Sequence, residues 1–111
     1  MPDIKDNKEW FVIYVRSRSE KMVFKQLGDI GVESFLPLIT RLKQWSDRKK
    51  KVVEPLFRSY VFVRHDIRDH NKYYDILNIP GVVRFITIEK KPVAVPENQI
   101  IAIKEYLNDT E

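Results

Sequence analysis

Three short runs of aromatic and β-branched residues, 10–16 (WFVIYVR), 59–64 (SYVFVR) and 82–88 (VVRFITI), are separated by segments whose apolar residues recur at helical spacing. Such runs suit a pleated, half-buried surface, and the segments between them need a sheet to pack on. Ser17 and Glu20 have capping-box spacing, and Val23, Leu27 and Ile30 then lie on one helical face, which predicts a helix over 18–30 ended by Gly31. Residues 34–44 read as one extended strand that Pro37 pushes toward an edge or a bend. A polar turn over 45–51 follows, and 52–54 returns as a strand, so the pair makes a hairpin with a basic tip. In 59–64, Tyr60, Phe62 and Arg64 fall on one side and Val61 and Val63 on the other. Asp66 or Asp69 can cap a second helix over 69–78 with Tyr73, Ile76 and Leu77 as its stripe, stopped by Pro80-Gly81. After a turn at 89–92 and a short extended piece at 93–95, Pro96-Glu97 opens a last helix that buries Ile100, Ile103 and Leu107.

The order is β-α-β-β-β-α-β-α. It predicts an α+β sandwich of ferredoxin-like outline: a mainly antiparallel four-stranded sheet flanked by helices, with the basic hairpin attached. The 111 residues suit one domain, read as 10–109 behind a disordered tail at 1–9. With 43% hydrophobic and 32% charged residues the chain is globular rather than disordered. It has no cysteine, which excludes disulfides, thiolate chemistry and Cys-based zinc sites. No apolar signal core or membrane-length apolar run occurs, so the expected setting is cytoplasmic.

Charge is segregated. Residues 41–58 hold seven basic side chains (Arg41, Lys43, Arg48, Lys49, Lys50, Lys51, Arg58) against Asp47 and Glu54, for +5, while the rest of the chain is nearly balanced. A local cationic patch attracts a polyanion as diffuse charge does not. Arg41, Lys43, Arg48, Lys49, Lys50 and Lys51 are candidate phosphate contacts, and Trp45 could stack on an unpaired base. The bland alternative is a solvated, mobile loop with Trp45 packed on the hairpin. An enzyme would need a nucleophile with its base, a phosphate loop or a metal cluster. His65 and His70 lack the i, i+4 spacing of paired ligands and read as solvated loop residues, and the three glycines are isolated. No catalytic residue, metal or cofactor is expected.

Several blocks, in order across nearly the whole chain, resemble the NusG family of transcription factors. Residues 54–63 (EPLFRSYVFV) resemble its signature strand. Residues 10–14 resemble its opening strand, 18–21 its first helix start and 35–37 its second strand. Residues 80–85 resemble its "PGV-x-F" strand, and Lys91-Pro92, Val95-Pro96 and Ile100 the lead into its last helix. The hairpin and the run Glu54-Pro55-Leu56-Phe57 look more like specialised paralogues of the RfaH or UpxY sort than a housekeeping copy. Arg58-Ser59 departs from the family's Pro-Gly or Pro-Asn, so a differently shaped turn is expected there. The family usually continues into a small β-barrel (KOW) domain that meets the ribosome or a termination factor. The resemblance therefore implies an excised N-terminal (NGN) domain.

That resemblance implies a monomer that docks an apolar, aromatic-lined depression on the clamp helices of the largest subunit of bacterial RNA polymerase and bridges the DNA channel, favouring processivity and antitermination. Non-template or upstream DNA is a further implied contact, and no membrane is involved. Tyr14 and Phe57 match positions lining the depression, with Arg58, Tyr60, Pro80 and Ala94 as neighbours. Lys72, Tyr73 and Tyr74 match a segment that in some members touches the far side of the channel. The residues alone leave Tyr14, Phe57, Tyr60 and Tyr73 open as ordinary core. The rival reading is a stand-alone ferredoxin-like nucleic-acid-binding module, although the central strands lack the Gly-Phe-aromatic pattern that stacks RNA bases. An exposed apolar patch discriminates, since only a protein binder needs one.

Overall fold

The computed structural model describes residues 6–109. Its order is β1 (Glu9–Val15), α1 (Glu20–Asp29), β2 (Glu33–Phe35), β3 (Leu38–Trp45), β4 (Arg48–Pro55), β5 (Tyr60–His65), α2 (His70–Leu77), β6 (Val82–Phe85), β7 (Thr87–Ile88), β8 (Lys91–Pro92) and α3 (Glu97–Asp109). The main sheet runs β2-β5-β1-β6, with every pair antiparallel. This is the split βαβ arrangement of ferredoxin-like domains, with the β3–β4 hairpin inserted between the second and third sheet strands. The expected α+β class is therefore the observed one.

Alternation distributes the side chains over two layers. Phe11, Ile13 and Val15 of β1, Val61 and Val63 of β5, and Phe85 of β6 pack with Val23 and Leu27 of α1 and Ile76 of α2. On the opposite face Trp10 and Phe62 pack with Ile100 of α3. β1 is thus covered on both faces at its start, which is why 10–15 is almost wholly apolar. The Trp10 indole N–H donates to Glu97 Oε2 at 2.8 Å, and the Val95 N–H donates to the Trp10 carbonyl at 2.7 Å, so the first turn of α3 is tied to β1.

Several local expectations are corrected. α1 begins at Glu20 rather than 18, because Arg18 sits at φ +68°, outside helical space. The expected capping box does not form: Ser19 occupies the cap position without a side-chain bond, and the Glu20 carboxylate points inward. Residues 34–44 form two strands, parted at buried Pro37; β2 joins the main sheet while β3 pairs with β4. The hairpin turn is Ser46-Asp47 alone, with Ser46 at φ +52°, so Arg48–Lys51 lie on β4 and not in the turn. The 82–88 run is interrupted at Ile86, and β7 pairs with β8 around Glu89-Lys90. At the second helix the cap is Asp69, whose side chain accepts the Lys72 N–H at 3.0 Å.

His65 is buried at 3% exposure, not a solvated loop residue, stacked on Tyr73 with ring centroids 6.3 Å apart. The tail reading for 1–9 falls largely outside the described residues. Within them, Asp6 pairs with Arg64 at 2.6 Å and Glu9 already belongs to β1. The described chain extends 60 × 31 × 29 Å. At about 3.3 Å per residue, the eight-residue arms of the hairpin reach about 26 Å, which accounts for the excess in the long dimension.

Candidate functional site

The face of the sheet not covered by α1 and α2 is only partly covered by α3. Pairing of Trp10 with Arg64, Val12 with Phe62, and Tyr14 with Tyr60 and Arg84 puts these side chains on that face. α3 sits over the Trp10 and Phe62 end. Beyond it, the Tyr14 and Tyr60 rings lie 5.9 Å apart and the Arg84 guanidinium lies 6.0 Å over Tyr14. Beside them the β4–β5 loop holds Phe57, 40% exposed and edge-on to Phe62 at 6.2 Å. Between this loop and α3 lies an apolar depression of about 350 Å³, lined by Leu56, Phe57, Gln99, Ala102, Ile103 and Tyr106.

The loop is held at both ends. The Leu56 N–H donates to the Pro37 carbonyl at 2.8 Å, and the Ser59 N–H donates to Glu20 Oε2 at 2.8 Å. Ser59 adopts φ +69°, so the chain keeps here a left-handed conformation that glycine or asparagine reaches more easily. Nearby, Gly81 sits at φ +99°, and an added Cβ there would lie 3.1 Å from Ser19 Cβ and 3.2 Å from Val23 Cγ2. Glycine is favoured at that position on both counts.

The structure gathers Tyr14, Phe57 and Tyr60 on one surface, with Arg58 exposed on the same loop. Exposed Pro80 precedes Gly81, whose carbonyl accepts the Arg16 N–H at the far end of β1. Ala94 is not with them. It lies beside Trp10 at the other end of β1, because Val95 pairs with Trp10. The residues the sequence did not single out are Leu56, Gln99, Ala102 and Tyr106. The helical period marked Ile103 as inward-facing, yet nothing local showed that Tyr106, 51% exposed, would flank Phe57.

The three residues of the second expected contact separate. The Lys72 ammonium donates to the Ile30 carbonyl at 2.9 Å, and Tyr73 stacks on Phe85 at 4.6 Å between ring centroids. Both are used by the fold; Tyr74 alone is prominent, 59% exposed. Nearby His65 has its imidazole pushed below the usual range by burial, against the pull of Asp69 and Asp66. Its Nε2 has no hydrogen-bond partner among the described residues.

The hairpin carries the cations. Glu54 collects three of them: Arg41 at 3.0 Å, Lys43 at 2.8 Å and Arg58 at 3.9 Å. The Lys43 hydrogen bond, helped by the Arg58 and Arg41 charges, holds the Glu54 carboxyl below the ordinary carboxylate range. Toward the tip, the Lys50 ammonium lies 5.4 Å over the ring of Trp45, which is 55% exposed. Among the described residues no carboxylate pairs with Arg48, Lys49, Lys50 or Lys51.

These features define an α+β domain of ferredoxin-like form, with an apolar aromatic depression on one face and a cationic ribbon projecting from it. A sequence model described as "NusG: Transcription termination factor nusG" matches residues 8–104, and the chain belongs to that family. It is 30% identical to the transcription termination/antitermination protein NusG of Helicobacter pylori (strain J99), over 91% of this chain and 62% of that protein. It is 25% identical to the NusG of Rickettsia bellii, over 90% of this chain and 57% of that protein. A solved structure described as "Domain interaction in Thermotoga maritima NusG" superposes with a TM-score of 0.59 at 25% identity, covering 94% of this chain and 59% of that one. The chain therefore spans about three fifths of the curated relatives it matches.

Proposed function

We propose that this chain acts in transcription as a non-catalytic elongation-factor domain of a bacterial cytoplasm. It binds RNA polymerase by seating the clamp helices of the largest subunit in the depression beside Phe57, as a monomer. From there it reaches across the DNA channel and promotes processivity and antitermination, while the cationic ribbon meets non-template or upstream DNA. One observation carries the reading: within a NusG-family fold, a large aromatic side chain stands exposed at the rim of an apolar depression. A burial-ready aromatic with few rotamers is what an interface anchor supplies. An apolar depression of this kind also favours a protein partner over nucleic acid alone. Tyr14, Tyr60, Arg58 and Pro80 would extend the contact along the same end of the sheet, and Tyr74 stands apart on α2 as a second contact.

The test is capture of purified bacterial RNA polymerase core by the wild-type chain beside Phe57→Ala. Retention by wild type and loss in a folded variant supports the reading. No retention of either, with tight salt-sensitive binding to free nucleic acid, replaces it with a stand-alone nucleic-acid-binding module.

A further inference from the structure

The strand register sorts the cations of the hairpin, and the sorting was not visible in the run Arg48-Lys49-Lys50-Lys51. Trp45 lies opposite Arg48, Lys43 opposite Lys50, Arg41 opposite Val52 and Ile39 opposite Glu54. Directly opposed residues share a face, so Arg41, Lys43, Arg48, Lys50 and Trp45 stand on one side, together with Ile39, Val52 and Glu54 nearer the base. Leu38, Thr40, Leu42 and Val53 stand on the other, with Lys49 and Lys51. The first face is cationic. The second is half apolar, with Leu42 65% and Val53 48% exposed.

The shape of the ribbon discriminates among nucleic acids. Two strands about 4.8 Å apart fit a B-DNA major groove about 12 Å wide, which admits a two-stranded ribbon, but not a minor groove about 6 Å wide. A-form RNA has a deep, narrow major groove closed to side chains. Proteins that hold single strands use several aromatic platforms in a groove. The cationic face offers one ring, and Lys50 already covers part of it. The long dimension of 60 Å fits a ribbon whose Trp45–Arg48 end projects from the domain.

We propose that the hairpin enters the major groove of a B-form DNA duplex with its Arg41, Lys43, Arg48 and Lys50 face toward the DNA, Trp45 leading, and Lys49 and Lys51 turned away. The inference rests on the nucleic-acid role given above to the ribbon and adds the form of the ligand and the face that meets it. Arg48 is the side chain best placed to read base edges. Its planar fork has no carboxylate partner among the described residues, whereas Arg41 is held by Glu54.

Two double variants of the full chain, Arg48→Ala with Lys50→Ala and Lys49→Ala with Lys51→Ala, remove the same charge from opposite faces. Binding to a short DNA duplex, to each of its separated strands and to an RNA duplex of the same sequence is measured by fluorescence anisotropy across a salt series. Circular dichroism verifies that both variants fold. The first variant should bind the DNA duplex about tenfold or more weakly and lose about 0.9 from the slope of log affinity against log salt, the share of the one phosphate that Lys50 meets. The second should stay close to wild type. Equal losses in both variants, or tighter binding of wild type to single strands or to the RNA duplex, overturn the groove assignment and leave a nucleic-acid role standing. Absence of wild-type binding to every probe overturns that role as well.

Discussion

The Glu20 carboxylate accepts the Ser59 backbone N–H through Oε2 at 2.8 Å, joining the start of α1 to the residue that leads into β5. Glu20 is 5% exposed, and Ser59 holds a left-handed backbone at φ +69°. A hydrogen bond donated to a charged acceptor is worth about 1.5–3 kcal/mol. Glu20→Ala should therefore lower folding stability by about 2 kcal/mol, read as an earlier urea midpoint. It should also weaken polymerase capture, because Phe57 lies two residues from the released N–H.

The left-handed turn itself is testable. A non-glycine residue there costs about 1–2 kcal/mol, partly offset by the greater freedom of glycine in the unfolded chain. Ser59→Gly should raise stability by about 0.5–1 kcal/mol, and Gly81→Ala should lower it, since the added methyl meets Ser19 and Val23. Thermal melts of the two variants beside wild type check both signs.

Phe57→Ala should weaken polymerase binding by roughly 2–4 kcal/mol with the fold kept, because Phe57 is 40% exposed and outside the core clusters. Tyr106→Ala should weaken it too, since Tyr106 lines the same depression from α3. An unfolded Phe57→Ala would instead make Phe57 a core residue. Titration of polymerase core with each labelled variant, alongside circular dichroism, separates the outcomes.

Adjacent tyrosines should behave oppositely. Tyr73 stacks on Phe85 at 4.6 Å and touches His65, whereas Tyr74 is 59% exposed. Tyr73→Ala should cost about 3 kcal/mol or more in denaturant unfolding, by analogy with other large aromatic truncations. Tyr74→Ala should leave stability within about 0.5 kcal/mol, and any loss of polymerase affinity in it marks a second contact.

His65 makes stability depend on pH. In the unfolded chain its imidazole titrates near 6.5, while burial lowers it in the fold. Between the two values the unfolded chain binds more protons, so stability rises with pH across that window and is lost as pH falls below about 6.5. Asp6, Glu54 and Asp66 are shifted downward as carboxylates and act only at lower pH. Urea midpoints between about pH 5 and 7 should slope upward in wild type and flatten in His65→Phe.

Much of the architecture was readable from local pattern. The aromatic and β-branched run at 10–16 marked a strand. Pro37 marked an edge or a bend, Asp66 or Asp69 a cap, and the spacing of Ile100 and Ile103 the buried side of α3, because each depends on residues close in sequence. Glu20 was misread for the same reason: its spacing from Ser17 suits a capping box, but the competing donor, Ser59, is thirty-nine positions away. His65 was misread because its burial depends on Tyr73 and Phe85 closing over it.

The sequence by itself determined the broad alternation of strands and helices, the two sides of the 59–64 strand, and the segment that carries the excess charge. These follow from the two-residue and 3.6-residue periods of the backbone and from charge counting. Only the tertiary structure decided which cations stand together, that Tyr106 joins Phe57 around one depression, and that Ala94 lies apart from it. Those outcomes depend on which residues pair across strands, and a slip of one position would exchange the two faces of the ribbon.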